Sequence, residues 1–276
     1  MDRARAVLIT GCSSGIGRAT AERLARVGWT VYASARRIES LEGLAGCRTL
    51  ELDVTDDASM RAAVAAIDAE HGAVGVLVNN AGYSQSGAVE SVTMEAARRQ
   101  FETNVFGLAR LTQLVLPGMR AQGWGRIVNV SSMGGRLTFP GGGWYHASKH
   151  AVEALSDALR FEVQGFGIDV VVIQPGLIRT GFGDTAVGSI AVDPDDAYGR
   201  FNQAVGAATA GAYDGLARVL GGGPDAVAKT IERALSARRP RTRYRVTASA
   251  RLVLIARRLL PDRGWDAVVG RAYPRP

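Results

Sequence analysis

Short apolar runs alternate with helix-patterned stretches along most of this 276-residue chain, and that alternation restricts the fold more than any other feature. The runs show no polar alternation, which is typical of strands that are buried on both faces of a parallel sheet. The predicted strands are Ala6–Thr10, Thr30–Ser34, Thr49–Leu52, Val74–Val78, Gly125–Val130 and Ile168–Gln174. Strands that alternate with helices predict an α/β fold, a doubly wound parallel sheet flanked by helices on both faces.

The chain has the length of a single domain, since α/β domains commonly reach about 250 residues. The predicted helices are Arg18–Val27, a helix that begins near Asp56, Thr93–Met119, Tyr145 to about Val163, Pro224–Ala237 and Arg251–Leu260. Residues 181–223 are rich in glycine and alanine, and we expect them to form a substrate lid, with an ordinary helical insertion as the alternative. Residues 238–276 are predicted to form a basic C-terminal extension.

A glycine-rich turn joins the first predicted strand to the first predicted helix, with the sequence Gly11-Cys12-Ser13-Ser14-Gly15-Ile16-Gly17. Glycines let a backbone turn sharply and approach a pyrophosphate, and a helix N-terminus supplies N–H donors and partial positive charge. The turn therefore predicts a Rossmann-type dinucleotide site. Its Gly-x3-Gly-x-Gly spacing differs from Gly-x-Gly-x-x-Gly, and a plain turn is the alternative.

Two arginines stand where the cofactor's adenosine ribose is expected. An acidic residue at this place would bind the ribose 2′-hydroxyl of NAD, but the chain has Ala35-Arg36-Arg37. No carboxylate repels a 2′-phosphate here, and Arg36 and Arg37 can pair with one. The sequence therefore favours NADP(H) over NAD(H), unless both arginines are merely solvated.

Tyr145 and Lys149 lie four residues apart in a predicted helix and would share one face. A free tyrosine has a pKa near ~10, and a cation beside it lowers that pKa, which makes it a better acid at neutral pH. Only Lys149 and Lys229 are lysines, so chance would give about 0.05 matches to Tyr-x3-Lys. Ser132 could hold a substrate oxygen against the phenol. The alternative is an exposed lysine beside a packed tyrosine.

Other polar side chains follow predicted strands or interrupt a helix. Ligands bind at the C-terminal strand ends of doubly wound sheets, where Asp53, Asn79 and Ser132 are expected to lie along one edge. Asp53 could equally cap the next helix, and Asn79 with Asn80 could lock the sheet edge or simply make a turn. Asn104 lies within a predicted helix, where a polar residue is mildly unfavourable, so a specific role is expected.

With these residues, the chain resembles the short-chain dehydrogenase/reductase family over about residues 5–180. The shared motifs, in the family's order and spacing, are Thr10-Gly11-x3-Gly15-Ile16-Gly17, Asn79-Asn80-Ala81-Gly82, Asn104, Ser132, Tyr145-x3-Lys149 and Pro175-Gly176 with Thr180. The resemblance implies that Tyr145 is the general acid in ketone reduction and the base in alcohol oxidation. It implies that Lys149 holds the nicotinamide ribose, that Ser132 positions the carbonyl oxygen and that Asn104 supports a proton-relaying water.

The resemblance also implies the contacts to the cofactor. The expected residues are Gly11, Ser13, Ser14, Gly15, Ile16, Gly17, Arg36, Arg37, Asp53, Val54, Asn79, Ala81, Gly82, Tyr145, Lys149, Pro175, Gly176, Ile178 and Thr180. The Ala35-Arg36 pair resembles the family's NADP-preferring branch. That branch often has another basic residue in the glycine turn, where this chain has Cys12-Ser13-Ser14.

The expected reaction is hydride transfer between the nicotinamide of NADP(H) and a hydrophobic ketone or secondary alcohol. Ser132, Phe139, Trp144 and Phe182 are predicted to line the substrate pocket. Family resemblance suggests a homodimer or homotetramer through the helices Thr93–Met119 and Tyr145–Val163. The alternatives are an NAD(H)-preferring alcohol dehydrogenase and a non-catalytic dinucleotide-sensing protein, and the intact catalytic set argues against the second.

The net charge of +7 belongs to the C-terminal extension, where 11 arginines from Ser236 onward stand against Asp262 and Asp266. No nucleic-acid motif accompanies this charge, so nucleic acid is not an expected partner. In the helix Arg251–Leu260, Leu252, Ile255 and Leu259 share one side, and Arg251 and Arg258 lie on another. We expect the helix to pack beside the substrate pocket, with a reversible membrane contact as the alternative.

The remaining composition favours a cytoplasmic protein. Cys12 and Cys47 form neither a metal-spaced pair nor a disulfide framework. No signal-peptide layout and no apolar run of about 18 residues is present. His71, His146 and His150 lack metal-ligand spacing, so no metal is expected, and His146 and His150 are interpreted as surface or packing residues.

Overall fold

The computed structural model describes residues 5–191, 193, 196–213 and 220–275. Its strands are β1 (Ala6–Ile9), β2 (Thr30–Ala35), β3 (Cys47–Glu51), β4 (Val76–Asn79), β5 (Gly125–Val130), β6 (Ile168–Pro175) and β7 (Arg243–Val246). Within the described residues they form one seven-stranded parallel sheet in the order β3-β2-β1-β4-β5-β6-β7. The predicted doubly wound α/β fold is confirmed.

Helices cover both faces of this sheet. They are α1 (Gly15–Arg26), α2 (Asp57–His71), α3 (Met94–Phe101), α4 (Leu108–Ala121), α5 (Gly143–Val163), α6 (Phe182–Gly188), α7 (Gly199–Ala210), α8 (Pro224–Ser236), α9 (Ala248–Leu259) and α10 (Asp262–Val269). Side chains alternate between the faces along a strand. In β1, Val7 and Ile9 share a core with α1 and α8, whereas Leu8 shares one with α2 and α4. β1 and β4 are buried throughout, which explains their unbroken apolar sequences.

The last strand lies in residues 238–276, the predicted basic C-terminal extension, where no strand was expected. Arg243–Val246 instead forms β7, paired in parallel with β6. It is an edge strand and only Val246 is buried in it, so its sequence lacks the apolar signature of the inner strands. The Arg243 side chain points along the sheet to α5, where it binds Glu153 and Asp157.

The predicted helix Thr93–Met119 is interrupted. A π-helical turn over Glu102–Gly107 separates α3 from α4. At this turn Asn104 hydrogen-bonds the backbone after β4 and Gly107 packs against the Val54 carbonyl oxygen. Such single π turns occur frequently at functional sites.

The predicted lid, residues 181–223, contains α6 and α7. The segment after β4 holds both helices: Gln85 Nε2 donates to the Ser189 carbonyl oxygen at 2.8 Å, and the Ala88 N–H donates to Asn202 Oδ1 at 2.9 Å. Positions 192, 194–195 and 214–219 of the predicted lid lie outside the described residues. Opening and closing of this region stays a prediction.

The C-terminal helices differ from expectation in one respect. α9 lies beside the cleft described below, which Ser249 and Val253 line. Its predicted apolar stripe of Leu252, Ile255 and Leu259 does not face the protein but is exposed. No helix within the described ranges is long and apolar enough to cross a membrane.

Gly107→Ala is expected to destabilise the fold by about 1–3 kcal/mol, because the added Cβ would overlap the Val54 carbonyl oxygen and the backbone must move. The matched control is Gly165→Ala, whose Cβ would meet nothing within 4 Å. Urea unfolding of both variants should show a lower midpoint for Gly107→Ala alone, with an unchanged slope. Equal midpoints for the two variants would show that the close contact at the π turn is not required.

Candidate active site

A single cleft of about 1280 Å³ runs along the C-terminal ends of the strands. Most of the predicted cofactor residues line it: Gly11, Ser13, Ser14, Gly15, Ile16, Arg36, Asp53, Val54, Ala81, Gly82, Tyr145, Lys149, Pro175, Gly176, Ile178 and Thr180. The volume exceeds the roughly 300–1,000 Å³ of typical small-ligand pockets. The cleft can therefore take a dinucleotide together with a second molecule.

The glycine turn requires glycines, because its backbone angles and its close neighbours leave no room for side chains. Gly11 and Gly15 have φ angles of 71° and 58°, a backbone region that favours glycine. An added Cβ at Gly11 would lie 2.9 Å from the Ala81 Cα, and one at Gly17 would overlap the Gly11 carbonyl oxygen. Gly17 does not line the cleft; its role is to let α1 start directly against the turn. Burial raises the pKa of the Cys12 thiol in this turn to about 12, so the thiol stays neutral.

The two asparagines after β4 have different roles. Asn80 Nδ2 donates to the carbonyl oxygens of Thr10 and Gly11 at 2.9 and 3.1 Å, which fixes the glycine turn to β4. Asn79 is buried away from the cleft, where its Nδ2 donates to Thr112 Oγ1 and Asn129 Oδ1. The expectation that Asn79 contacts the cofactor is not supported, because its side chain is used inside the sheet.

The two predicted arginines are separated by the backbone after β2. Arg36 lines the cleft together with Asp53 and Val54, whereas Arg37 is exposed outside it. Asp53 Oδ1 accepts from the Thr55 backbone and hydroxyl at 2.9 and 2.7 Å, so its carboxylate organises its own loop. The helix cap belongs to Asp56, which accepts from the first N–H groups of α2.

Tyr145 and Lys149 share the cleft-facing side of α5, as their spacing predicts. The Lys149 Nζ lies 5.9 Å from the Tyr145 ring centroid and donates to the Val130 carbonyl oxygen at 2.9 Å. Burial lowers the pKa of Lys149 to about 8, although Glu153 favours its charged form. Ser132, at the end of β5, lines the same cleft, and its Oγ accepts from the Gly134 N–H at 3.0 Å.

Asn104 links three segments of the chain by hydrogen bonds beside these groups. Its Oδ1 accepts from the Tyr83 N–H at 3.1 Å, and its Nδ2 donates to the Tyr83 carbonyl oxygen and to Ser148 Oγ. All of these partners are internal, so the side chain fixes the π turn to α5 and to the chain after β4. An added Cβ at Gly82 would lie 3.0 Å from Asn104 Oδ1 and 3.5 Å from Lys149 Nζ, which places Asn104 next to the ammonium.

At the substrate end, the structure brings two predicted aromatics into the cleft and leaves one out. Phe139 and Phe182 line it, and Phe182 lies 5.4 Å from the Tyr145 ring. Trp144 does not line it; its indole packs against Phe101 and the α3 core. The ring points away because Trp144 precedes Tyr145 on the helix, and adjacent helical residues face different directions.

His146 is buried and packed, as interpreted from the sequence, but it also lines the cleft, with its ring 5.5 Å from that of Tyr145. Its ring lies 6.0 Å from the Phe139 ring and its Nδ1 is 3.1 Å from the Gly134 carbonyl oxygen. Burial lowers the pKa of His146 to about 4, so the ring is neutral near pH 7. A neutral histidine here adds no charge beside Tyr145.

Several cleft residues escaped the sequence analysis. They are contributed by α3, the π turn, α7, α9 and the chain end, and include Arg99, Glu102, Thr103, Val205, Ala208, Ser249, Val253 and Tyr273. None carries a local motif, because these positions are brought to the cleft only by tertiary packing. The amphipathic pattern of α9 was the one available signal that this helix contacts the protein. Its apolar side is the exposed one, however, and the cleft is lined by Ser249 and Val253 instead.

Comparison with known proteins agrees with this geometry. The family model described as short chain dehydrogenase matches residues 5–187. A 3-ketodihydrosphingosine reductase from Bacteroides thetaiotaomicron is 45% identical over 178 residues, which is 64% of this chain and 65% of that relative's length. An NADPH-dependent 3-dehydrocapnine reductase from Ornithobacterium rhinotracheale is 35% identical over 275 residues, covering 96% of this chain and 95% of that one.

A solved structure extends the similarity to the fold. The crystal structure of a short-chain dehydrogenase from Streptomyces avermitilis is 36% identical, with a TM-score of 0.81, and the match covers 98% of this chain and 95% of that one. The match includes the C-terminal helices beyond the family model. Sequence, fold and the joint placement of Ser132, Tyr145 and Lys149 agree, and the chain belongs to the short-chain dehydrogenase/reductase family of oxidoreductases.

Proposed function

We propose that this oxidoreductase is an NADP(H)-dependent carbonyl reductase or alcohol dehydrogenase that acts on a hydrophobic ketone or secondary alcohol. The observation that carries the proposal is one cleft that contains the glycine turn and Arg36 at one end and Ser132, Tyr145 and Lys149 at the other. A dinucleotide that binds across this distance would present its nicotinamide to a substrate beside the tyrosine.

The residues present fit the cofactor. The glycine turn leaves room for a pyrophosphate against the N-terminus of α1, since Gly11 and Gly15, which line the cleft, have no side chain to fill it. Asp53 and Val54 would hold the adenine, and Ala81 and Gly82 the adenosine side. Lys149 would hold the nicotinamide ribose. The segment Pro175–Thr180, at the end of β6, would hold the nicotinamide and its phosphate.

In the proposed reaction, the nicotinamide supplies or accepts the hydride. Ser132 Oγ holds the carbonyl oxygen, and Tyr145 donates its phenolic proton to that oxygen as negative charge develops. In the oxidative direction the phenolate takes the proton back. The Lys149 ammonium, 5.9 Å from the tyrosine ring centroid, favours the phenolate by its charge. Asn104 keeps α5 in register beside the π turn, and a water that it supports would resupply the proton.

The substrate class rests on the apolar end of the cleft. Phe139 and Phe182 face the tyrosine, and Val205 and Val253 add apolar surface from α7 and α9. Both relatives reported above are reductases whose names place a keto or dehydro group at position 3. A ketone with an apolar body matches this lining.

The preference for NADP(H) rests on Arg36, which lines the cleft where no acidic residue follows β2. One relative is NADPH-dependent by name, which supports the same choice. The NAD(H)-dependent alternative requires Arg36 to remain solvated. The sensor alternative requires that Ser132, Tyr145 and Lys149 catalyse no reaction. Arg36→Ala tests the NAD(H)-dependent alternative, and Tyr145→Phe tests the sensor alternative.

We further propose a homodimer or homotetramer formed through α4 and α5. Large apolar side chains are exposed along this part of the surface, namely Phe106 in the π turn and Leu155 and Phe161 on α5, the last of these 83% exposed. Burial of such residues in an interface is favourable.

Tyr145→Phe should reduce kcat by about 10²–10⁴-fold while NADPH affinity changes little, because the variant loses only the proton donor. The matched control is Tyr198→Phe, whose hydroxyl binds Glu90 outside the cleft. Steady-state ketone reduction and calorimetric NADPH titration provide the two measurements. Equal turnover by wild type and Tyr145→Phe would contradict the mechanism and favour a sensor.

Arg36→Ala should weaken NADPH binding at least about tenfold and leave NADH binding nearly unchanged, because only NADPH carries the 2′-phosphate. The neighbouring exposed arginine gives the control: Arg37→Ala should bind both dinucleotides as the wild type does. Calorimetry measures all six affinities, of the wild type and both variants for the two dinucleotides. Tighter binding of NADH than NADPH by the wild type would refute the NADP assignment.

Lys149 also predicts a pH dependence of stability. Its pKa is about 8 when folded and ~10.4 when unfolded, so between these values the unfolded chain binds the extra proton. The free energy of unfolding of the wild type, relative to Lys149→Met, should therefore rise with pH by up to about 1.4 kcal/mol per unit across this window.

The chain's other lysine provides the control for this measurement. Lys229 is exposed on α8, and Lys229→Met should follow the wild type in urea unfolding at each pH. Parallel pH profiles for wild type and Lys149→Met would show that the folded protein does not shift the pKa of Lys149.

A further inference from the structure

The outer side of α9 carries an apolar stripe that the protein itself does not cover. Leu252, Ile255 and Leu259 are 54%, 50% and 76% exposed, and their spacing places them along one side of the helix. The opposite side is seated in the protein, where Ala250 and Leu254 are buried. Large apolar side chains in such a row indicate a contact surface more than scattered exposure does.

Positive charge lies beside this stripe and in the chain that follows it, where Asp266 is the one exposed carboxylate besides Asp262 among the described tail residues. Arg251 and Arg258 flank it on α9, and Arg263 and Arg271 follow in the chain. Among the residues that the structure describes, none of these four arginines forms an ion pair, whereas Arg257 is neutralised by Asp262. An apolar face with uncompensated arginines is complementary to a surface that is apolar beneath an anionic layer.

We propose that the outer side of α9 docks reversibly on an anionic lipid bilayer. A second copy of the chain fits this surface less well. A two-fold interface would bring Arg251 and Arg258 towards the same residues of the partner copy, and like charges at close range repel. An anionic lipid surface attracts the same arginines and accepts the apolar stripe. The helix would lie in the interface, because none in the described part of the chain can span a membrane.

The docking surface and the cleft share one helix. Val253 and Ser249 line the cleft from α9, so docking would bring its substrate end within about one helix diameter, roughly 10–12 Å, of the lipid. Trp265 stiffens this connection, since its indole N–H donates to the Thr138 carbonyl oxygen at 3.1 Å and its ring lies 5.7 Å from that of Phe139. A lipid-dissolved ketone would thus meet the site at the bilayer surface, a consequence that rests on the proposed function.

The test is co-sedimentation of the full chain with phosphatidylcholine vesicles, with and without phosphatidylglycerol. The wild type should bind only the anionic vesicles, and added salt should release it. Arg251→Gln/Arg258→Gln should weaken binding roughly 30-fold, from the contribution of two arginines near the surface. Leu252→Gln/Ile255→Gln/Leu259→Gln should weaken it by at least about tenfold. All five positions are exposed, so the fold should be retained.

The matched control is Arg26→Gln/Val27→Gln, which removes an exposed arginine and an exposed apolar residue at the end of α1. It should bind as the wild type does. Failure of the wild type to bind anionic vesicles, or equal binding by all variants, would overturn the proposal. A change of oligomeric state in the α9 variants without vesicle binding by the wild type would assign the surface to a second copy and also overturn it.

Turnover of a water-soluble ketone with NADPH, measured without vesicles, separates this proposal from the proposed function. The α9 variants should match the wild type there, because none of the substituted residues lines the cleft. Vesicle binding without ketone turnover by the wild type would reject the reaction and keep the docking surface. Ketone turnover without vesicle binding would keep the proposed reaction and reject the docking surface.

Discussion

The buried ammonium of Lys149 is the group on which the site depends, because a charge removed from water persists only where its surroundings compensate it. The Val130 carbonyl oxygen at the end of β5 accepts from it, and Glu153 lies one turn further along α5. Glu153 is itself buried and is held by Gln174 of β6 and Arg243 of β7, each at 2.9 Å. The compensation thus extends across three strands and one helix.

This compensation explains how β7 and the π turn, which are distant in sequence, both support α5. The edge strand β7 provides the guanidinium that balances Glu153, so the outermost strand affects the electrostatics of α5, which carries Tyr145 and Lys149. The π turn has a comparable role on the opposite side of α5. Asn104 binds Tyr83 and Ser148, and these hydrogen bonds hold its polar side chain in place beside the Lys149 ammonium. The two supports come from regions far apart in the chain.

The parts that sequence could predict are those encoded locally. Inner strands are buried on both faces, so β1 and β4 are recognisable as apolar runs, and parallel strands bring their C-terminal ends to one edge. Asp53, Ser132 and the glycine turn therefore lie in one cleft, as their positions at strand ends predict. The i,i+4 spacing of Tyr145 and Lys149 predicted in the same way that both side chains face the cleft, because helix geometry fixes the relative direction of residues four apart.

The predictions that were not supported depend on tertiary context. β7 is half-exposed and lacks an apolar run, and the break at Asn104 comes from side-chain bonds to distant backbone. Arg36 and Arg37 are alike in sequence, and only the path of the chain after β2 separates them. An amphipathic pattern shows that α9 has two sides but not which side the protein covers, and here the apolar one is left outside.

The contact of Trp265 with the Thr138 carbonyl oxygen and the Phe139 ring has a consequence for how such a protein can diversify. The family model ends at residue 187, whereas the tail that reaches back to the cleft lies entirely beyond it. Insertions or exchanges in that tail would reshape the far wall of the cleft while the nucleotide half kept its contacts. On the proposed function, the residues that would hold the cofactor all lie before residue 187 and the tail contributes only one part of the substrate end, so variation in the tail would change substrate range and leave the cofactor contacts unchanged.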